Sequence, residues 1–381
     1  MTTTGTYDVI VVGVGGMGSA TVYELASRGL RVLGLERFDI PHDMGSSHGV
    51  HRIIRMAYFE DPSYVPLLRR AYERWRELEE ASGEQLLYIT GGVDAGPEDG
   101  EVFAGSLQSC VEHDLAHEVL SSAELSGRFP GVRIPAGSMA VYQPDGGFVL
   151  AERSIVSHVF GALERGAEVR AREPVLEWSS DGDRVRVETR RGSYEAGALV
   201  VTGGAWAGPL LPSLHHLVVP ERQVLGWFQP SNPRIFGAGE FPVVIGDFEA
   251  GLYYALPVFG IPGLKIGRYH HQDETTTADD LRRECDDEDE ALLRDGLGRY
   301  FPEADGPVLS MKACMFTNTP DGHFIIDALP DAPNVFVAAG FSGHGYKFCS
   351  VVGEIMADLA TRGETPHDIS LFRLDRFRPQ G

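Results

Sequence analysis

The chemistry-bearing residues of this 381-residue chain begin with a glycine-rich run, Gly13-Val14-Gly15-Gly16-Met17-Gly18. Its first glycine permits a tight turn, the second lets backbone N–H groups approach a pyrophosphate, and the third lets a helix pack close to a strand. The N-terminus of that helix adds partial positive charge for an anion. Glu36, at the end of the next apolar run, is placed to accept from a ribose hydroxyl. The pattern reads as a dinucleotide site and leaves NAD and FAD equally open. Of 33 basic residues only three are lysines, Lys265, Lys312 and Lys347. A chain that otherwise carries its positive charge on arginine has kept a compact, titratable amine at three places. Biased codon usage accounts for any one of them, so their positions must decide.

Four cysteines, Cys110, Cys285, Cys314 and Cys349, are widely spaced with no C-x-x-C pair, which points to free thiols in a reducing compartment. A net charge of −22 argues against nucleic acid or an anionic membrane as partner. In that field an anionic substrate requires a local cluster of positive charge. Residues 1–6 carry no basic leader and no apolar run is long enough to span a bilayer, so a cytoplasmic protein is expected. No metal site is read from the sequence.

The elements that must position these residues follow from periodicity. Tyr7–Val12 is a near-continuous apolar strand, Ser19–Arg28 a helix stopped at Gly29, and Arg31–Leu35 a second strand, which together make one βαβ unit. Tyr64–Ala81 has helical spacing with charges on its outer face. From Leu86 to about Gly147 the pattern reads as short strands and turns, and Ala151–Arg165 as a helix. Ala198–Gly204 and Val335–Gly340 repeat the opening theme of a buried strand closing on glycine, the second leading to a helix that ends near Leu359. Between them strand patterns return, broken by an acidic stretch, Glu284–Glu290, read as a solvated helix start. Strand–glycine units at the beginning, middle and end imply a discontinuous dinucleotide domain (1–86, 148–218 and 320–381) with a substrate domain inserted twice (87–147 and 219–319).

The chain resembles the monomeric sarcosine oxidase family, flavin amine oxidases that include N-methyltryptophan and pipecolate oxidases. The resemblance is carried by P-H-x-x-G-S-S-H-G-x-x-R-I-I-R-x-A-Y (Pro41–Tyr58), G-L-K-I-G (Gly263–Gly267), C-M-F-T-N-T-P-D (Cys314–Asp321) and G-F-S-G-H-G-Y-K-F (Gly340–Phe348). It implies an α/β fold, with a Rossmann-type FAD-binding domain and a D-amino-acid-oxidase-like antiparallel-sheet substrate domain. It implies FAD held covalently by Cys314, whose thiolate nearby positive charge such as Lys312 would favour; the alternative is an inert buried thiol. His48 and Arg52 would pack against the flavin ring. Lys265 would meet oxygen there, where a fixed cation stabilises developing negative charge. Arg55 and Lys347 would grip the substrate carboxylate, unless Arg55 merely pairs with an acid such as Glu60. Gly343, His344 and Gly345, at a helix start, would favour negative charge on the reduced ring. The resemblance extends cofactor contact to Met17, Arg37, Ser46, Val175, Gly204, Trp206 and Met315. Tyr254 is a substrate-side tyrosine or a core aromatic.

Three departures bear on the substrate. Phe316 and Met56 stand where the family often has Tyr and His, and either Tyr269 or His270 takes the place of an active-site histidine, His270 being carried as the catalytic candidate. The resemblance thus implies a monomeric, peroxide-forming FAD oxidase of a small secondary amino acid, foremost sarcosine (sarcosine + O2 + H2O to glycine + formaldehyde + H2O2). L-pipecolate, L-proline or N-methyltryptophan is the alternative substrate. An FAD dehydrogenase and a non-catalytic FAD-binding module are the rival classes.

Overall fold

The computed structural model describes residues 3–378; Met1 and Thr2, read above as part of a leader-free start, lie outside the described residues. The first strand, Thr3–Val12, is buried on both faces over its last four residues, with Val9 and Val11 in one core cluster and Ile10 and Val12 in another. It pairs in parallel with Val32–Leu35 on one side and Ser193–Val201 on the other. Glu168–Arg170 extends this sheet in parallel beyond the former, and Ala332–Ala339 beyond the latter. The three strand–glycine units expected at the beginning, middle and end therefore lie side by side. An antiparallel hairpin, Val175–Ser180 with Val185–Thr189, and the strand Ile325–Leu329 complete eight strands. One face is covered by the helix Gly16–Ser27, which packs against Ala151–Glu164 and Cys349–Arg362.

A second eight-stranded sheet runs in the order 308–318, 219–228, 264–268, 251–256, 243–248, 92–96, 139–143 and 118–121. Its pairings are antiparallel except that of 243–248 with 92–96. A small sheet of His51–Ile54, Gly147–Leu150 and Leu87–Ile89 carries the Arg52 and Arg55 segment.

Two expectations are corrected. The region read as strands and turns also holds the helices Glu101–Glu112 and Ser122–Arg128. The first was hidden because its buried face is partly polar. Ser106 donates to Asp94 (2.7 Å) and Ser109 to the Tyr58 carbonyl (2.6 Å), so the apolar period is broken where the helix meets the core. The acidic stretch does start a helix, Asp287–Tyr300, with Asp286 accepting from the N–H groups of Glu288 and Asp289. It is not solvated throughout. Asp289 is fully buried, in a two-point ion pair with Arg222 (2.7 Å to each oxygen) and in contact with His271 (3.0 Å).

Candidate active site

A cavity of about 600 Å³ is lined from both large sheets. The glycine turn forms one wall. Gly13 has φ +90°, and Gly18 lies behind the turn, where an added Cβ would meet the Gly13 carbonyl oxygen. Within the turn, only at Gly15 would a Cβ avoid a clash, standing 3.7 Å from the Ser47 hydroxyl. Backbone can approach a ligand there. Glu36 lines the same end, yet its first task is structural: its carboxylate accepts from Val14 N–H (2.8 Å) and Phe38 N–H (2.9 Å). Burial opposes its charge, but His42 and these donors outweigh burial and hold the carboxyl below the usual range. Arg37 lies over the Trp206 ring and, with Val175 and Gly204, completes this end.

Cys314 sits midway, buried and unpaired, on the strand Val308–Asn318. The cation beside it is Arg52, not Lys312. The Arg52 guanidinium reaches Cys314 Sγ at 3.8 Å and the Ser46 carbonyl at 2.9 Å, whereas Lys312 pairs outward with Asp43 (3.3 Å). Met17, Ser46 and Met315 line the cavity as expected. His48 does not; it is buried behind the lining with both ring nitrogens unpartnered, and burial, then Arg52, lowers its pKa to about 3.

Lys265 lines the cavity on the strand Leu264–Arg268 and is 1% exposed. Its ammonium donates to the carbonyls of Gly49 (2.8 Å) and His51 (2.5 Å). Those carbonyls belong to a γ-turn: His51 N–H donates to Gly49 O (2.9 Å) and the central residue, Val50, has φ +70°. Positive φ at a β-branched residue is strained, by about 1–3 kcal/mol. Burial, then Arg52, presses the Lys265 pKa well below the lysine range, while Glu152 and Cys314 draw it back up.

Arg55 and Lys347 both line the cavity and both are buried. The guanidinium lies between the rings of Tyr58 (4.5 Å) and Phe59 (4.4 Å) and is bound to Glu60 (2.7 and 2.9 Å), with Asp94 at 3.7 Å. The pairing with Glu60 raised as an alternative is therefore present. It leaves Arg55 Nε buried without a partner. Lys347 Nζ donates to the His344 carbonyl (2.5 Å) and stands 5.1 Å from the Tyr58 ring centre. Burial, then Arg55, lowers its pKa to about 7. Burial raises that of Asp94 to about 6, although Arg55 opposes the rise. His344 Nε2 meets the Gly322 carbonyl (3.0 Å), so it carries the proton, and Nδ1 accepts from the Tyr58 hydroxyl (2.5 Å). Asp94 and Tyr58 went unread as site residues. The signal for Asp94 was a lone acid in the apolar run Gly92–Gly96.

Tyr254, Tyr269 and Phe316 line the cavity, Tyr269 packing on Phe316 at 4.9 Å. Tyr254 also packs on the core beside Leu225 and Cys314. His270 is corrected as a site residue. It has φ +52°, turns out of the cavity, and pairs with Glu221 (2.8 Å), while Tyr269 faces in and its hydroxyl donates to the Ser342 carbonyl. Residues 269 and 270 form a turn after the strand Leu264–Arg268, and the left-handed backbone at His270 sets its ring against Tyr269 (4.6 Å between centroids) and outside the lining. Among the described residues, Glu221, His270 and Asp273 bring ligand-type atoms within 4.8 Å of one another, but Glu221 already accepts from Gln223 and Asn318.

Residues 8–359 match the family described as DAO, FAD dependent oxidoreductase. The chain is 43% identical to the monomeric sarcosine oxidase of Streptomyces avermitilis, over 96% of this chain and 97% of that protein. It is 35% identical to the N-methyl-L-tryptophan oxidase of Yersinia pestis, over 98% and 100%. Among solved structures, NikD, an unusual amino acid oxidase essential for nikkomycin biosynthesis, superposes with a TM-score of 0.85 at 25% identity, covering 97% of this chain and 98% of that one. Glycine oxidase from Geobacillus kaustophilus shares the fold, with a TM-score of 0.82 at 24% identity over 98% and 99%. The glycine turn, the buried lysines and the cavity that joins them thus belong to an enzyme, and the chain is a member of the DAO family of FAD-dependent oxidoreductases, alongside the monomeric sarcosine oxidases.

Proposed function

We propose that this enzyme oxidises a small secondary amine bearing a carboxylate, with sarcosine as its substrate, to glycine, formaldehyde and hydrogen peroxide. One observation carries the reading: Arg55 Nε is a buried donor without a partner, in the same lining as the buried Lys347. An unsatisfied cationic donor beside an ammonium that uses one of its three protons is a receptor for a carboxylate. The walls beyond it are aromatic and aliphatic, from Tyr254, Tyr269, Phe316 and Ile245, and suit an N-methyl group.

The residues present fit FAD. The backbone at Gly15 opens on the lining for a pyrophosphate, Glu36 and Trp206 flank a nucleoside end, and Arg52 stands at Cys314. When bound, FAD takes two electrons from the C–N bond and delivers them to oxygen. Cys314, with the Arg52 guanidinium 3.8 Å from its sulfur, is the proposed covalent anchor. Lys265 supplies the cation toward which negative charge develops on oxygen. Arg55 and Lys347 orient the carboxylate so that the N-methyl carbon meets the ring. The strands around the nucleotide end and those around Lys265 and Tyr254 support the proposed division into cofactor (1–86, 148–218, 320–381) and substrate (87–147, 219–319) parts. Relatives named as monomeric support a single-chain enzyme.

Assaying peroxide and formaldehyde together tests the substrate. Sarcosine should yield both in equal amounts; peroxide from L-pipecolate or L-proline with none from sarcosine overturns the proposal. Lys265→Met should slow reoxidation of the reduced enzyme in air by about 10²-fold or more, and an unchanged rate would favour a dehydrogenase.

A further inference from the structure

We infer that Glu152 is a positioning residue for the oxygen step: it holds the Gly49–His51 turn in its strained form and thereby sets where Lys265 presents its ammonium. The inference rests on the reading of Lys265 given above and adds a residue that touches neither the cavity nor a ligand.

Every polar backbone group of the turn has a partner, supplied by the start of one helix, by Lys265, by the turn itself and, at the His51 carbonyl, also by Arg52 (3.2 Å). Glu152, the second residue of the helix Ala151–Glu164, accepts from Gly49 N–H (2.6 Å) and Val50 N–H (3.1 Å). The first residue of the same helix returns a bond, Ala151 N–H donating to Val50 O (2.8 Å). The remaining N–H, of His51, closes the γ-turn on Gly49 O, and Lys265 takes the carbonyls of Gly49 and His51. The turn is thus clamped between a carboxylate on its N–H side and an ammonium on its C=O side. Helix starts favour a carboxylate at this position, so Glu152 is itself held in place. Val50 keeps its positive φ only while its surroundings over-determine it. Without the carboxylate, two part-buried N–H groups lose their acceptor, Val50 can relax to negative φ, and the two carbonyls that aim Lys265 turn with it. Glu152 also carries a negative charge that favours the ammonium form of Lys265, against burial and Arg52. A second signature in the sequence is the placement of an acid directly after the Leu150-Ala151 strand-to-helix junction.

Glu152→Gln keeps the shape and one carbonyl oxygen, on Gly49 N–H (2.6 Å) and 3.3 Å from Val50 N–H, while removing the charge and the second oxygen, the nearer acceptor for Val50 N–H (3.1 Å). The holoenzyme variant should be bleached anaerobically by sarcosine within about threefold of the parent rate. After dithionite reduction it should reoxidise in air at least about tenfold more slowly. Hydrogen exchange on the peptide spanning residues 46–52, read by mass spectrometry in holoenzyme and in apoprotein, should be faster by about tenfold or more at the Val50 amide. In a Lys265→Met background, Glu152→Gln should add less than about twofold to the reoxidation defect, because the two act in series. Unchanged reoxidation, equal loss in both half-reactions, or a full additional loss in the Lys265→Met background would each overturn the inference. Lys265→Met reoxidising at the parent rate removes the reading of Lys265 and this inference with it. A slow Lys265→Met beside a normal Glu152→Gln removes this inference alone.

Discussion

Substrate affinity should carry an alkaline limb that belongs to Lys347. Its ammonium is buried, and burial followed by the Arg55 charge sets its pKa at about 7, with Glu60 and Asp94 pulling the other way. A carboxylate ligand binds the protonated form. Below pH 7 the ammonium is already present and affinity is level; above it, a proton must be taken up with the ligand. The dissociation constant then climbs toward tenfold per pH unit, so that from pH 6 to 8.5 binding weakens by about 30-fold, or about 2 kcal/mol. Acetate is the suitable probe, since it lacks the amine that would titrate alongside. Its Kd can be read from the perturbation of flavin absorbance. Asp94, at about 6, and His344, at about 4, titrate lower, so any limb they cause persists in Lys347→Met, whereas the rise above pH 7 should vanish there. Equal wild-type Kd values at pH 6.5 and 8.5, or the same rise in Lys347→Met, would refute the reasoning. The sign for folding is the opposite of the usual lysine case: between about 7 and 10.5 the unfolded chain holds a proton that the folded chain does not, so this group's contribution to stability grows with pH.

Three further outcomes are expected. Acid precipitation of the enzyme should leave yellow colour in the pellet, and Cys314→Ser should move it to the supernatant; a colourless wild-type pellet removes the covalent anchor. Gly18→Ala would drive a Cβ into the Gly13 backbone carbonyl, and the apoprotein should lose about 3 kcal/mol or more in urea unfolding, where a loss under about 0.5 kcal/mol contradicts the packing. Arg222→Met strands Asp289 in the core and should cost about 3–5 kcal/mol at pH 7. Burial opposes the Asp289 charge, yet the Arg222 hydrogen bonds and the Asp286 N–H hold its pKa far below the carboxylate range. Its contribution is therefore present above about pH 4 and fades as pH falls. Wild-type stability should drop between pH 5 and 3, and Arg222→Met should flatten that drop; an identical pH profile in the two proteins tells against the pair.

Much of the site was legible because its chemistry is local in sequence. The turn at Gly13–Gly18 carries its own strand and helix, and Cys314, Lys265 and Lys347 each sit inside a distinctive run of neighbours. Residues whose role is set by a distant partner were not legible in this way. Asp94 gains its partners from Ser106 and Arg55, and Asp289 from Arg222, across separations that no spacing rule spans. The helix Glu101–Glu112 was lost for a related reason, since its core-facing serines bond to groups brought in by the fold. Tyr269 and His270 are adjacent and chemically both suitable, and only the path of the backbone, with His270 at φ +52°, decides which faces inward.

By itself the sequence determined the dinucleotide class and, through its longer motifs, the family, because glycine placement, strand periodicity and runs of neighbouring residues act over short stretches of chain. Tertiary structure alone decided the electrostatics. It replaced Lys312 by Arg52 as the cation at Cys314, held Arg55 on Glu60 with one donor to spare, and clamped the strained Gly49–His51 turn between Glu152 and Lys265. Charges act through a few ångströms of space whatever the chain distance between them, and burial multiplies their effect. Only the fold sets both.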